Sequence, residues 1–387
     1  MPTLIKNAKV FAPRALGIRD VLLSGATIAA LGEKLDISGR ELDVIEADGR
    51  WLLPGLVDPL THPCGGGGEG GFGNRTSELE APAFIEGGVT TLVGALGTDS
   101  ITRSLEVLYG QVMKLRAAGL SAYMYSGSYR VPATTLTGDL ARDILMVEPV
   151  IGAGELAIAD HRASHPSLEE IRRIASDIHL GGTLSGKDGT LFLHVGDGPS
   201  GLDLVEETLC QSDLPRRLFY PTHCNRQAAL LEQAVDFAQR GGYADLTVST
   251  TPELLAAGEV SALEALREAI EAGAPASQFS FSSDAGGSLP HYENGELTGL
   301  QEAKPSALLD LLRHAIGDGP AAPVEVIAAL TRNPADALKL RRKGRIEPGA
   351  DADLLLLDPA DKQLSDVFCH GRRLMGDGQF TMNSNHS

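Results

Sequence analysis

Short apolar runs alternate with amphipathic segments along the middle of the chain. The eight predicted strands are residues 51–60, 90–96, 121–126, 148–155, 190–194, 217–223, 245–250 and 278–284. Between them, segments such as 168–180 and 227–240 carry apolar residues at i, i+3, i+4 and i+7, the spacing of amphipathic helices. Ser167 and Glu170 have the spacing of a capping box at the start of the first of these helices. Eight strands alternating with helices predict a parallel sheet closed as a (β/α)8 TIM barrel, with a doubly wound open sheet as the alternative.

The two ends of the chain show a different pattern. Residues 1–50 and 343–380 contain short alternating strands joined by Gly, Asp and Asn turns. Neither end supplies enough strands for a stable β-domain of its own, because an isolated hairpin is marginal in water. We therefore expect both ends to build one small β-sandwich, so that residues 1–50 and 343–387 are its two parts and residues 51–342 form the barrel.

Composition narrows the class of protein. The 387 residues include 33 Lys and Arg against 51 Asp and Glu, a formal charge of −18, which disfavours nucleic acid or an anionic membrane surface as a partner. No stretch approaches the roughly 18 apolar residues that span a bilayer, and the first residues lack the pattern of a secretory signal. Four cysteines do not make a disulfide framework in a chain of this length. The expectation is a globular cytoplasmic protein.

Metal-binding residue types fall at the ends of the predicted strands, where barrel enzymes place their reactive side chains. The residues at these ends are His62, Glu155, His194, His223 and Asp284. A single histidine at such a position is more often structural than functional. Three histidines and two carboxylates at one rim instead predict a metal site, because imidazole and carboxylate are the ligands of zinc-type centres.

The motifs around these residues resemble the amidohydrolase superfamily. They are GLVDPLTH at 55–62, HVGD at 194–197, PTHCNR at 221–226, SSD at 282–284 and PGADADLLLLD at 348–358. A further set is similar to the isoaspartyl dipeptidase family: GGGGE at 65–69, GTDS at 97–100, GSYRVP at 127–132, ELAIADHR at 155–162 and SSDAGGS at 282–288. The resemblance extends over essentially the whole chain, with the motifs in the order of the family. It implies a metal-dependent barrel hydrolase that forms homo-oligomers.

The resemblance also implies the metal ligands. The family holds two metals: a His-x-His pair and an Asp bind one, two further histidines bind the other, and a carboxylated Lys bridges them. The matching residues here are His62 as the second histidine of the pair, Glu155 as the bridge, His194 and His223 as the ligands of the other metal, and Asp284 as the proton carrier.

Two positions depart from the family pattern. Glu155 replaces the bridging Lys but still supplies a carboxylate, whereas Leu60 replaces the first histidine of the pair and cannot bind a metal. We therefore expect one tightly bound zinc ion and a second position that is weak or absent. Cys64 is a candidate substitute ligand, although a small buried thiol is the commoner role for such a residue.

An isoaspartyl dipeptide presents an ammonium group and carboxylates, so its pocket needs an anion and guanidinium groups. By resemblance, Glu69 binds the ammonium and Arg162 and Arg226 bind carboxylates. Thr98 and Ser288 match polar contacts of the pocket. The glycines before Glu69 permit positive φ and a close approach of the backbone.

The implied reaction is hydrolysis of a β-aspartyl amide by metal-activated water. Asp284 would accept the proton of the water and pass it to the leaving amine, and Tyr129 would polarise the scissile carbonyl. Two alternatives stay open. One is action on another small amide, such as a cyclic amide or an N-acyl amino acid. The other is a non-catalytic homologue that has lost its metal because of Leu60.

Overall fold

The computed structural model describes residues 1–39, 41–69, 71–293, 296–317 and 324–381. Within these residues the strands are β1 (Thr3–Phe11), β2 (Ala15–Ser24), β3 (Thr27–Gly32), β4 (Asp43–Glu46), β5 (Trp51–Pro54), β6 (Leu56–Thr61), β7 (Val89–Gly94), β8 (Ser121–Ser126), β9 (Val150–Ile158), β10 (Leu191–Val195), β11 (Phe219–Thr222), β12 (Ala244–Thr247), β13 (Phe279–Ser282), β14 (Ser288–Glu293), β15 (Glu296–Glu302), β16 (Leu354–Leu357), β17 (Leu364–Cys369), β18 (Arg372–Gly376) and β19 (Gln379–Phe380). The α-helices are α1 (Ala81–Glu86), α2 (Leu105–Ala117), α3 (Leu140–Met146), α4 (Leu168–Ser185), α5 (Asp203–Cys210), α6 (Ala228–Gln239), α7 (Pro252–Ala256), α8 (Ala262–Glu271), α9 (Ser306–Gly317), α10 (Val324–Leu330) and α11 (Arg332–Ala337).

Strands β6 to β13 form the barrel. Strands β6 to β11 pair in parallel in chain order, and β12 pairs in parallel with β13. The sheet continues from β11 to β12, where the Cys224 amide donates to the Asp245 carbonyl at 3.0 Å. It closes where Thr61 bridges Ala285 in parallel and the His62 amide donates to the same Ala285. The predicted barrel is confirmed. The doubly wound sheet is excluded, because the strand order of such a sheet reverses at one point, whereas β6 to β11 pair in chain order.

Nine strands from both chain ends form a second sheet, in the order β19-β18-β17-β16-β5-β1-β2-β3, with β4 also paired to β1. Strand β5 joins the two ends, because it pairs in parallel with β1 and antiparallel with β16. One apolar cluster takes side chains from both ends, among them Ile5, Val21, Leu354 and Phe368. The prediction that the two ends build one β-domain is confirmed.

The predicted strand at 51–60 is wrong as a single element. It is two strands, β5 in the terminal sheet and β6 in the barrel, separated at Gly55. A Cβ on Gly55 would lie 2.1 Å from Oγ1 of Thr90, so the chain passes too close to β7 for any larger residue. The proposed domain limits, after residues 50 and 342, stay a prediction.

The helix signals are confirmed where the spacing is strongest. The side chain of Ser167 accepts from the Glu170 amide and the Glu170 side chain reaches back to the Ser167 amide, which is the predicted capping box at the start of α4. That helix ends at Gly186, whose φ is 74°. All four cysteines are free. Among the described residues, no helix has the length and apolar character needed to cross a membrane.

Candidate active site

The five predicted metal-binding side chains meet at the carboxyl-terminal rim of the barrel. They are Glu155 within β9, His194 within β10, His62 and His223 directly after β6 and β11, and Asp284 two residues after β13. His223 and Asp284 have φ of 60° and 54°. Such left-handed backbone is uncommon for residues other than glycine, and it is frequent at functional sites.

Three of these residues form a cluster with the chemistry of a metal centre. Oε1 of Glu155 lies 2.8 Å from Nδ1 of His194 and 3.2 Å from Nε2 of His223. One ligand atom from each lies within 4.8 Å of the others. Oε2 of Glu155 is buried without a hydrogen-bond partner, and a bound cation would satisfy it. Two imidazoles and a carboxylate fit a zinc-type ion.

The His223 ring is held and tuned by its surroundings. Its Nδ1 lies 2.5 Å from Oγ1 of Thr247, which leaves Nε2 directed at Glu155. Burial, with the nearby charge of Arg226, lowers the pKa of His223 to about 4. The ring is therefore neutral at physiological pH, which is the form that binds metals.

His62 and Asp284 form a hydrogen-bonded pair beside the cluster. Nε2 of His62 lies 3.0 Å from Oδ1 of Asp284 and 3.6 Å from Oε2 of Glu155, and Nδ1 donates to the Ala95 carbonyl at 3.1 Å. Burial disfavours the imidazolium, but the hydrogen bond to Asp284 and the two carboxylate charges raise the pKa of His62 to about 9. Burial likewise opposes ionisation of Asp284, yet His62 lowers the pKa of that carboxyl.

Leu60 presents no polar atom to this side of the site. Its side chain is fully buried in an apolar cluster inside the barrel that includes Tyr125, Phe192 and Tyr220. Cys64 is also buried, and burial raises the pKa of its thiol, which disfavours the thiolate that binds metals. Cys64 lies outside the set of mutually close ligand atoms found among the described residues.

The predicted ammonium-binding carboxylate lies at the rim beside these residues. Oε1 of Glu69 accepts hydrogen bonds from Thr98 at 2.8 Å and from Arg162 at 3.2 Å. Burial opposes ionisation, but these hydrogen bonds lower the pKa of Glu69. Its Oε2 is buried and has no hydrogen-bond partner, so one oxygen of an ionised carboxylate is left for a ligand.

The glycine-rich loop places Glu69 by close packing. Gly65 and Gly67 have φ of 80° and 70°, as the sequence predicts for this loop. A Cβ on Gly66 would lie 2.9 Å from the carbonyl oxygen of Gly286, on the neighbouring loop of the rim. Side chains at these positions would push the loop away and carry Glu69 with it.

Asp160 is a further residue of this site that the sequence pattern did not predict. This carboxylate is 4% exposed and accepts three hydrogen bonds from Arg162, two from the guanidinium at 2.7 and 2.9 Å and one from the backbone amide at 2.7 Å. Its Oδ2 also lies 2.8 Å from Nε2 of His194. Asp160 therefore orients both a predicted metal ligand and a predicted substrate ligand. The available signal was its place in the ADHR segment, directly after β9 and two residues before Arg162.

Tyr129 and Arg226 complete the rim around His194. The Tyr129 hydroxyl lies 2.7 Å from Nδ1 of His194, and burial raises the pKa of the phenol well above its usual value, so it stays protonated. Arg226 approaches Nε2 of His194 at 3.4 Å. Within the described part of the chain, Arg226 forms no salt bridge.

Two cavities meet at these residues. The smaller one, about 40 Å³, lies by Thr98 and Tyr129, and the larger one, about 450 Å³, extends from His223 toward α7. The residues that line both are Arg162, Arg226, Asp284 and Ser288. The predicted substrate residues other than Glu69 thus line one or both cavities.

Comparison with known proteins is consistent with this geometry. The sequence profile of the amidohydrolase family matches residues 220–375 of this chain. A dihydroorotase from Halalkalibacterium halodurans is 25% identical, over 92% of this chain and 89% of its own. The crystal structure of a beta-aspartyl dipeptidase from Fervidobacterium islandicum AW-1, in complex with a beta-Asp-Leu dipeptide, is 43% identical with a TM-score of 0.91 and covers 100% of both chains. A dihydropyrimidinase from Brevibacillus agri, at 16% identity, a TM-score of 0.65 and coverage of 98% of this chain and 96% of its own, shares the fold.

Proposed function

The chain belongs to the amidohydrolase family, among its beta-aspartyl dipeptidases, and on this basis we propose that this hydrolase cleaves the β-aspartyl amide bond of dipeptides. The observation that carries the proposal is the pairing of two features at one rim. One is the cluster of Glu155, His194 and His223. The other is the half-buried carboxylate of Glu69, whose buried Oε2 lacks a hydrogen-bond partner.

The same cluster supports one tightly held zinc ion, because imidazole ligands favour zinc over magnesium or calcium. We propose that a second position, at His62 and Asp284, is weak or empty, since Leu60 supplies no ligand there. A divalent metal bound at such a site supplies a Lewis acid and lowers the pKa of bound water toward about 7.

The polar groups of the rim match the charges of the substrate. Glu69 would bind the ammonium group through its free oxygen. Arg226 has no carboxylate partner among the described residues and would bind a substrate carboxylate. Arg162, which is paired with Glu69 and Asp160, would contact the same substrate carboxylate while it keeps these partners. Thr98 and Ser288 would add polar contacts from the two cavity walls.

Two side chains would carry the proton and the developing charge. Asp284 is ionised and at the rim, so it would take a proton from the attacking water and deliver it to the leaving amine. Tyr129 keeps its phenolic proton and would donate a hydrogen bond to the oxygen that gains negative charge.

A single set of variants tests these statements. We would measure zinc content per chain and turnover of β-Asp-Leu for the wild type, Leu60→His and Asp284→Asn. We expect one zinc ion in the wild type, more in Leu60→His, and at least a 100-fold loss of turnover in Asp284→Asn, with the fold of that variant retained in circular dichroism. Near-wild-type turnover of Asp284→Asn would remove that residue from the mechanism. Failure of the zinc-loaded wild type to hydrolyse any β-aspartyl dipeptide would refute the substrate.

The similarity to a dihydroorotase keeps a cyclic amide as the second candidate substrate. Glu69 favours the dipeptide, because a neutral cyclic amide has no ammonium group to pair with the unpartnered Oε2 of its carboxylate. A panel of cyclic amides and N-acyl amino acids, assayed beside β-Asp-Leu, separates the candidates. Faster turnover of a cyclic amide than of every β-aspartyl dipeptide would favour the second one.

We also propose that the chain self-associates. Val107, Tyr109 and Met113 are exposed on α2, and Met146 is 67% exposed at the end of α3, which leaves an apolar area for a second copy to cover. Light scattering after gel filtration should give a mass above 40.7 kDa for the wild type and a lower mass for Met113→Glu. A monomeric wild type would contradict this.

The cytoplasmic location stays a prediction, supported by the four free cysteines.

A further inference from the structure

The larger cavity contains an acidic side chain that the proposed chemistry does not use. Glu259 follows α7 and lines this cavity together with Leu254 and Ala257. Its side chain is half-buried. Among the described residues, it forms no salt bridge.

Backbone contacts hold Glu259 in place beside the reaction centre. Its own amide donates to the Leu254 carbonyl at 3.1 Å. The next residue, Val260, exchanges two hydrogen bonds with Asn225: its amide donates to the Asn225 carbonyl at 2.9 Å, and the Asn225 side chain donates back at 2.8 Å. Because Asn225 lies between His223 and Arg226, the position of Glu259 is tied to the segment that carries a metal ligand and a substrate ligand.

Two other carboxylates that line this cavity are paired within the protein, so Glu259 is available to a cationic group of the substrate. Asp160 is paired with Arg162, and Asp284 is paired with His62. Arg162 also lines this cavity but is held by Asp160, so once a substrate carboxylate binds Arg226, the half-buried Glu259 faces no cation that lacks a partner. The apolar side chains of Leu254 and Ala257 lie on the same wall. A side chain that matches this wall has an apolar stem and a cationic end, as lysine and arginine do.

We propose that Glu259 determines specificity for the leaving residue, and that dipeptides with lysine or arginine in that position are preferred over those with an acidic residue. The inference rests on the proposed function, because it assigns the smaller cavity to the aspartyl unit and the cavity of about 450 Å³ to the leaving residue.

The test compares kcat/KM for β-Asp-Lys, β-Asp-Leu and β-Asp-Glu in the wild type and in Glu259→Gln. We expect the wild type to prefer β-Asp-Lys over β-Asp-Glu by at least about tenfold, because Glu259 attracts the lysine and repels the glutamate. In Glu259→Gln, kcat/KM for β-Asp-Lys should fall about tenfold more than for β-Asp-Leu. Glu259→Lys should reverse the preference toward β-Asp-Glu. The control Glu264→Gln, an exposed residue of α8 paired with Arg267, should leave the ratios unchanged.

Each outcome has one meaning. Turnover of β-Asp-Leu without a charge preference in the wild type, or with a preference that survives both Glu259 variants, overturns the role of Glu259 and leaves the proposed function intact. Absence of turnover with all three dipeptides in the zinc-loaded wild type refutes the proposed function itself. Circular dichroism of each variant shows whether the fold is retained.

Discussion

The substitution Asp160→Asn tests a residue that holds both His194 and Arg162 in position at the rim. The sequence pattern did not single this residue out. The Asp160 carboxylate accepts two hydrogen bonds from the Arg162 guanidinium and one from its amide, and it lies 2.8 Å from Nε2 of His194. Asparagine keeps the shape but replaces one acceptor oxygen by an amide that donates. In either orientation of the amide, Arg162 loses at least one acceptor, and His194 loses its own when the nitrogen replaces Oδ2. The negative charge that both residues attract is gone in either case.

The structure sets the size of the effect. Asp160 is 4% exposed, so water has little access with which to replace the lost acceptor. His194 is one of three clustered candidate ligands, and removal of the group that orients a metal-binding histidine costs about 10- to 100-fold in metal affinity or activity. We expect the zinc affinity of Asp160→Asn to fall within that range, which corresponds to about 1.4 to 2.7 kcal/mol.

The assay is competition for zinc against a chelator of known affinity, followed with turnover of β-Asp-Leu at saturating zinc. Asp197→Asn is the matched control, because Asp197 lines the same cavity and is exposed. That control should bind zinc as the wild type does. If Asp160→Asn retains wild-type zinc affinity and turnover within a factor of two, Asp160 does not orient His194, and the reasoning from the contacts at the rim fails.

Three further substitutions probe separate parts of the molecule. Tyr129→Phe should lower kcat by about 100-fold or more with little change in KM, because the phenol would act on charge that develops in the transition state; an unchanged kcat would contradict this. Glu69→Gln should raise KM for β-Asp-Leu about tenfold or more through loss of the ammonium contact, and an unchanged KM would exclude Glu69 from the pocket. Lys343→Met should lower the free energy of unfolding in urea by about 3 to 5 kcal/mol, since Lys343 and Asp353 form a buried ion pair at 2.7 Å; a stability within 1 kcal/mol of the wild type would show that the pair contributes little.

Much of the site was predictable because a parallel barrel converts a position in the sequence into a position in space. The carboxyl ends of all barrel strands lie at one rim, so residues 62, 155, 194, 223 and 284 had to come together once the eight strands were recognised. The glycine-rich loop was predictable for a similar reason, since positive φ is a local property and Gly65 and Gly67 adopt it.

Other features had no local signal. The strand divides at Gly55 because the residues before it pair with β1 and β16 and those after it pair with β7, partners that lie far apart in the sequence. Asp160 resembles any acidic loop residue until His194 and Arg162 close around it. Glu259 also looked like an ordinary surface carboxylate, because its place in the larger cavity depends on the hydrogen bonds between Val260 and Asn225.

The sequence by itself determined the periodic elements, the barrel and the identity of most rim residues, since hydrophobic periodicity and strand order are properties of the sequence. Tertiary structure alone decided which carboxylates are paired and which keep a free oxygen. The free oxygens of Glu69 and Glu155 and the unpaired charge of Glu259 depend on neighbours brought from distant strands and loops. Charge pairing is a property of distances in space, and these distances exist only once the barrel has closed.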